Sequence, residues 1–329
     1  MKVVAGVDVG GTTVKIGLFD VDGSLLDKGS IATQVDRGAD FILQRIANKI
    51  LEMVRDRGLQ REDLLGIGIG IPGPVLHEEY VELCVNLNWK QVHVGELLRE
   101  KIQRPVYVEN DANVAALGEI WRGAGANRDS LVLLTLGTGV GGGIVVHNRV
   151  ISGFHGAGGE VGHIPVLDQP VARTCGCGKH DCAELAVSAT GIVAYCRELM
   201  EKEGEDSSLR HYNGGYDARA IFMAAEKGDP VAEKVVDHTG RILGKTLALI
   251  GGVIDPEVFV IGGGVSRAGE VLLQPTREYY KKYCFSSGRE TPILSAKLGN
   301  DAGIFGAARL ALTYFGEQLI GEKNHGPIL

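Results

Sequence analysis

The chain has 329 residues, enough at roughly 150 residues per domain for about two domains with cores of their own. Its 48 glycines follow no Gly-X-Y period, prolines number only 10 and 23% of residues are charged, which excludes collagen-like, low-complexity and disordered chains. Lys and Arg (34) against Asp and Glu (41) leave a net charge of −7 with no basic cluster to grip a phosphate backbone, so nucleic acid is not an expected partner.

The N-terminal stretch reads strand, glycine turn, strand: VVAGVDV from Val3, then GGTT, then VKIGLF ending at Phe19. A third strand is predicted near Ser24 to Ala32. From Asp40 to Gly58, Ile42, Ile46, Ile50 and Val54 recur every fourth residue, the pattern of an amphipathic helix closed by glycine. Leu64 to Ile71 alternates glycine with isoleucine as a buried strand, and Pro72-Gly73-Pro74 turns it. Another short strand, Pro105 to Glu109, gives way at Asn110 to a helix reaching about Trp121.

The same grammar then repeats: Leu131 to Leu136 as strand, GTGVGGG as turn, Ile144 to Ile151 as strand, which predicts an internal duplication. A helix from Asp229 to about Ile250 begins with an Asp cap and Pro230 in its first turn. Val258 to Ile261 is a strand delivered into Gly262-Gly263-Gly264, and a last helix is predicted from Ala302 to Leu319. The glycines inside Ser130 to Asn148, the longest uncharged stretch, argue against a membrane span. The start MKVVAGVDVGG meets Asp8 too soon, and lacks a cleavage site, to be a secretory signal, so a cytoplasmic location is expected. There, Cys175, Cys177 and Cys182 read as metal ligands rather than disulfide partners.

Gly137-Thr138-Gly139-Val140-Gly141-Gly142 satisfies the G-x-G-x-x-G dinucleotide pattern, but that motif requires a helix after its glycines. Here the chain runs into IVVHNRVI, a strand, which disfavours a dehydrogenase. A glycine hairpin can still hold phosphate, because N–H groups without flanking side chains converge on an anion. Two such hairpins and the turn at 262 to 264 favour a nucleotide clamp over turns that only reverse the chain. Beside the first hairpin, Asp8 could hold Mg²⁺, and Thr12 and Thr13 could donate to phosphate oxygens. Taken alone, Asp8 reads equally as a turn cap.

Asp8 to Thr13, Leu136 to Gly143, Gly159-Glu160-Val161-Gly162-His163 and Cys175-Gly176-Cys177-Gly178 with Cys182-Ala183-Glu184 stand in the order and spacing of the ROK family of repressors and sugar kinases, and the chain resembles its bacterial glucokinase branch. The resemblance implies an α/β, actin- and hexokinase-like (ribonuclease H-like) fold of two lobes. These are expected over 1–112 with 301–329, and over 113–300 with a zinc-binding segment. No room is expected before Val3 for the repressors' DNA-binding domain. The implied activity is transfer of the γ-phosphate of ATP to the 6-hydroxyl of glucose. The alternatives are an N-acetylmannosamine or N-acetylglucosamine kinase, or a sugar-binding regulator without catalysis.

By this resemblance Asp111 is the base that takes the sugar hydroxyl's proton, although without it Asp111 reads as a helix N-cap. Gly73, Asn110, Asp111, Glu160, His163 and Glu184 are implied to contact the sugar. Asp8, Gly10, Gly11, Thr12, Thr13, Gly137, Thr138, Gly139, Gly141, Gly142, Gly263 and Gly264 are assigned to ATP with its Mg²⁺. His163, Cys175, Cys177 and Cys182 form a Cys₃His set, which closes a tetrahedral zinc site with no open position and is therefore structural. A homodimer or homotetramer is expected. Two positions depart from the family pattern: Asp181 where glycine is common and Val85 where proline is common.

Overall fold

The computed structural model describes residues 1–77, 79–203, 206–212 and 215–324. Strands β1 (Val3–Val9), β2 (Thr13–Asp20) and β3 (Leu25–Ala32) lead through helix α1 (Gly38–Asp56) to β4 (Leu64–Ile71). Short strands β5 (Val75–Leu76), β6 (Tyr80–Cys84) and β7 (Trp89–His93) precede α2 (Val94–Ile102), β8 (Val106–Asn110) and α3 (Asp111–Arg122). The chain continues with β9 (Leu131–Leu136), β10 (Val140–Val146), β11 (Arg149–Val150), α4 (Glu184–Val187) and α5 (Ala189–Glu203). It ends with α6 (Ala218–Ala225), α7 (Pro230–Ile254), β12 (Phe259–Gly262), α8 (Glu270–Tyr283), β13 (Ile293–Ser295) and α9 (Ala302–Asn324).

Two compact units form. One holds Met1–Asn127, Gly143–Gly159 and the chain from Asn300 onward; the other holds Arg128–Gly142 and Glu160–Gly299. The duplication is visible in the sheets, whose orders are β3-β2-β1-β4-β8 and β11-β10-β9-β12-β13. In the first, β1 pairs antiparallel with β2 and parallel with β4, and β4 pairs parallel with β8. In the second, β9, β12 and β13 are parallel, while β10 carries the chain from one unit to the other and turns back antiparallel as β11.

In the first unit, one face of the sheet buries Val7, Ile16 and Ile69 against Ile42, Ile46 and Ile50 of α1. That is the four-residue repeat legible in the sequence. The other face explains the glycines of β4: a Cβ at Gly68 would collide with the backbone carbonyl of Ala307, so the alternation lets α9 lie directly on the strands. Phe19 and Phe305 close this layer edge to face, with ring centroids 4.9 Å apart. In the second unit, α7 starts as its sequence predicts, with Asp229 accepting from the N–H groups of Val231 and Ala232. No helix among the described residues is long and apolar enough to cross a membrane.

Two local expectations need correction. The turn after β9 is confined to Gly137–Gly139, and Gly141, Gly142 and Gly143 belong to β10. At Gly143 smallness serves packing: a Cβ there would lie 2.6 Å from the Ala112 carbonyl and 2.7 Å from Ala116 Cβ, so glycine lets α3 approach the strand. The strand expected over Ile144 to Ile151 breaks at His147 and Asn148, whose φ values of 52° and 60° make a two-residue hairpin turn into β11.

Candidate active site and metal centre

In the first unit β8 delivers its last residue, Asn110, beside Ile71 of β4, and α3 begins at once. The N-cap is Asn110 rather than Asp111: its Oδ1 accepts from the N–H groups of Ala112 (2.9 Å) and Asn113 (3.2 Å). Its Nδ2 donates to the carbonyl of Gly73 at 3.1 Å, and Gly73 has φ 102°, a conformation that favours glycine. Gly73, Asn110 and Asp111 are thus brought together. Asp111 is the first helical residue; its Oδ1 accepts from Ala112 N at 2.9 Å. A carboxylate at a helix N-terminus also faces the positive end of the helix dipole.

The same unit carries the first glycine hairpin. Gly10 N donates to Thr13 O (3.0 Å), and Thr33 Oγ1 donates to Gly10 O (2.6 Å), which leaves Gly11, Thr12 and Thr13 exposed at the tip. Asp8 lies on β1, with Lys15 Nζ 3.2 Å from its Oδ2. A carboxylate oxygen is the donor chemistry a hard cation such as Mg²⁺ takes, although Lys15 already supplies one positive charge there.

In the second unit the turn between β9 and β10 is closed by Gly137 N to Gly139 O (2.9 Å) and tied to α5 by Ala189 N to Gly137 O (2.8 Å) and Thr190 Oγ1 to Thr138 O (2.9 Å). Gly263 (φ 81°) and Gly264 follow β12. Gly137, Thr138 and Gly264 line one cavity of about 690 Å³ with Ala189, Phe222 and Met223. That is the size of a small-molecule site, and Arg219 and Arg267 add positive charge to its lining beside Asp217 and Glu226. Phe222 and Met223 carry no recognisable signal in the sequence.

The four ligand atoms of His163, Cys175, Cys177 and Cys182 lie within 4.8 Å of one another. His163 Nδ1 is 3.3 Å from Cys175 Sγ, and the sulfurs of Cys177 and Cys182 are 3.4 Å apart. The loop is shaped for this by Gly178 N to Cys175 O (2.8 Å), Cys175 N to Lys179 O (2.8 Å) and a β-bridge between Pro165 and Cys182. Burial and the neighbouring sulfurs push the Cys182 thiol up to about 12, a crowding that a thiophilic cation relieves. The donor set therefore fits Zn²⁺. Asp181 causes no backbone strain, being absent from the described residues with positive φ, and its carbonyl accepts from Val166 and Leu167 N. Val85 opens a short 3₁₀ turn and is 79% exposed.

Around the cluster, His163 Nε2 faces Glu160 Oε2 at 3.6 Å. Glu184 spans two features: Oε1 accepts from Cys175 Sγ at 3.3 Å and Oε2 from Val140 N at 2.9 Å. Glu160, His163 and Glu184 are thus grouped on the metal-binding segment. Asp168, on the same segment, pairs with Lys245 (2.7 Å) and Arg241 (2.6 Å) of α7; their hydrogen bonds and charges hold its carboxyl down at about 2.

A glucokinase of Halalkalibacterium halodurans is 40% identical over 311 residues, 93% of this chain and 93% of its own length. A glucokinase of Thermotoga maritima is 39% identical over 93% of this chain and 96% of its own. The crystal structure of a ROK family glucokinase from Streptomyces griseus in complex with glucose and AMPPNP superposes with a TM-score of 0.73 at 33% identity, covering 94% of this chain and 99% of that one. The ROK family profile itself matches residues 4–314.

Proposed function

Because the chain belongs to the ROK family, we propose that it is an ATP-dependent kinase that transfers the γ-phosphate to the 6-hydroxyl of glucose. The observation that carries this reading is Asp111, a carboxylate at the first residue of α3, beside an Asn110 whose side chain is fixed to both the helix start and Gly73. A sugar hydroxyl is a weak nucleophile until its proton is removed. Asp111 accepts that proton as the hydroxyl oxygen bonds to the γ-phosphorus; the bond to the bridging oxygen breaks and ADP leaves.

In this reading Gly73, Asn110, Glu160, His163 and Glu184 supply the remaining sugar contacts, their polar groups matching the sugar's hydroxyls. The turns at Gly10 to Thr13 and Gly137 to Gly139, with Gly263 and Gly264, hold the nucleotide; Gly141 and Gly142 contribute as part of β10. Mg²⁺ accompanying ATP spreads the charge of its phosphates, and Asp8 is the carboxylate suited to it. His163, Cys175, Cys177 and Cys182 would hold zinc as four protein ligands, leaving it a structural role that would keep His163 and Glu184 in place.

The test is an ADP-release assay on the purified chain with glucose and ATP, with the product then offered to a dehydrogenase specific for glucose 6-phosphate. The expected result is equal yields of ADP and glucose 6-phosphate. ADP without that product, or no ADP, overturns the reading.

A further inference from the structure

Glu109 precedes the two residues given roles above, and the kinase reading leaves it unused. It is a carboxylate with only 5% of its surface exposed. Burying a carboxylate is costly unless donors surround it. Here Oε1 accepts from Asn110 N at 2.7 Å and Asn113 Nδ2 at 3.0 Å, while Oε2 accepts from Ser152 Oγ at 2.5 Å. Asn113 is itself 1% exposed and leaves its Oδ1 without a protein partner while turning its NH₂ to Glu109. An amide accepts that loss only when the acceptor it faces is strong.

We propose that Glu109, clamped by Ser152, is a positioning residue for phosphoryl transfer: it fixes the junction of β8 and α3 from which Asn110 and Asp111 project. This rests on the kinase reading. Glu109 bonds to the backbone N–H of the residue before Asp111 and to the side-chain amide of the second residue after it, so one carboxylate holds the strand end and the first turn of α3 on either side of the base. Asp111 Oδ1 is in turn bonded to the Ala112 N–H between them. Ser152 sits at the root of a glycine loop, where its carbonyl accepts from Gly158 N at 2.8 Å. That loop leads directly along the chain to Glu160 and His163. The Glu109–Ser152 bond thus ties the base's junction to the root of this loop.

The experiment is steady-state kinetics with glucose and ATP on the full chain, with thermal melts, for wild type, Glu109→Ala, Glu109→Gln and Ser152→Ala. In Glu109→Ala, kcat is expected to fall about 100-fold, the cost of misplacing a reacting group by about 1 Å, with the KM for ATP within about threefold of wild type. Glu109→Gln should restore kcat to within about tenfold, because its oxygen still accepts from Asn110 and Asn113 and its NH₂ donates to Ser152. Ser152→Ala should lower kcat about three- to tenfold and lower the melt modestly, since one oxygen of the buried carboxylate then loses its donor. The proposal is overturned by a folded Glu109→Ala with wild-type kcat, or by Glu109→Gln failing as badly as Ala. If Glu109→Ala does not fold, Ser152→Ala decides, and wild-type kcat there overturns the proposal. A wild-type chain that phosphorylates no hexose overturns the kinase reading instead, and with it this one.

Discussion

The carboxylate of Glu184 accepts a hydrogen bond from the backbone N–H of Val140, 2.9 Å away, the residue that follows the Gly137–Gly139 turn. Its other oxygen lies 3.3 Å from Cys175 Sγ, which donates to it only while the thiol is protonated and so without a metal on that sulfur. The resemblance assigns Glu184 to the sugar; the geometry also bonds this side chain, which follows the last cysteine of the cluster by two residues, to the hairpin. Gly139 belongs to the same arrangement, since a Cβ there would lie 2.6 Å from Glu184 Oε2. Glu184→Gln is therefore expected to act on both substrates. Losing a charge-assisted acceptor costs roughly 1.5 to 3 kcal/mol, so glucose affinity should fall about ten- to a hundredfold, and the KM for ATP should rise by a smaller factor. Calorimetric titration of glucose and the ATP KM measure the two, and unchanged glucose affinity would contradict the assignment.

Asp111→Asn keeps the size of the side chain and its acceptor for Ala112 N, but it cannot take a proton. Removal of a general base lowers kcat by roughly 10² to 10⁴ while ground-state binding survives. Glucose binding by titration and kcat by ADP release should thus separate; turnover within a few-fold of wild type would deny Asp111 its role.

The Cys₃His cluster predicts about one zinc per chain by elemental analysis, as a single closed site requires. Cys177, the exposed ligand of the three cysteines, is the one to change. Cys177→Ser should lower both zinc content and melting temperature, because metal binding contributes to folding free energy. Metal-free wild-type protein whose melting and sugar affinity match those of protein loaded with zinc would refute the site.

His238 on α7 stacks on Tyr195, ring centroids 4.0 Å apart, and burial together with the charge of Arg241 lowers its pKa to about 4. The unfolded chain, with a histidine near 6.5, then binds more protons than the folded one between pH 4 and 6.5. Stability from the neutral ring is complete above pH 6.5 and is lost as pH falls through that window. Denaturant midpoints of wild type and His238→Gln at pH 7 and pH 4.5 should show wild type losing the more, by about 2 kcal/mol after allowance for partial solvent screening. Parallel losses would contradict the buried neutral ring.

Much of this fold is legible because its signals are local. Glycine turns, the four-residue repeat of α1 and the Asp229-Pro230 helix start each state their structure within a few residues, and so does the cysteine spacing. What escapes the sequence depends on a second segment. Asn110 and Asp111 are both good caps, and only the approach of Gly73 and the Ala112 and Asn113 N–H groups shows that Asn110 takes the position. Gly141 to Gly143 look like turn glycines until β10 is seen to contain them and α3 to pack on Gly143. Glu109 could have been noticed as a charge on an otherwise apolar strand, but its partner Ser152 is 43 residues away.

The central claim is tested most directly by kcat/KM with ATP for glucose against N-acetylglucosamine and N-acetylmannosamine, since a pocket fitted to a C2 hydroxyl rejects an acetamido group by clash. The account predicts glucose preferred over both by at least about tenfold, the discrimination of roughly 1.4 kcal/mol that a single steric conflict supplies. Preference for either acetylated sugar would contradict the glucose assignment, and turnover of none of the three would contradict the kinase itself.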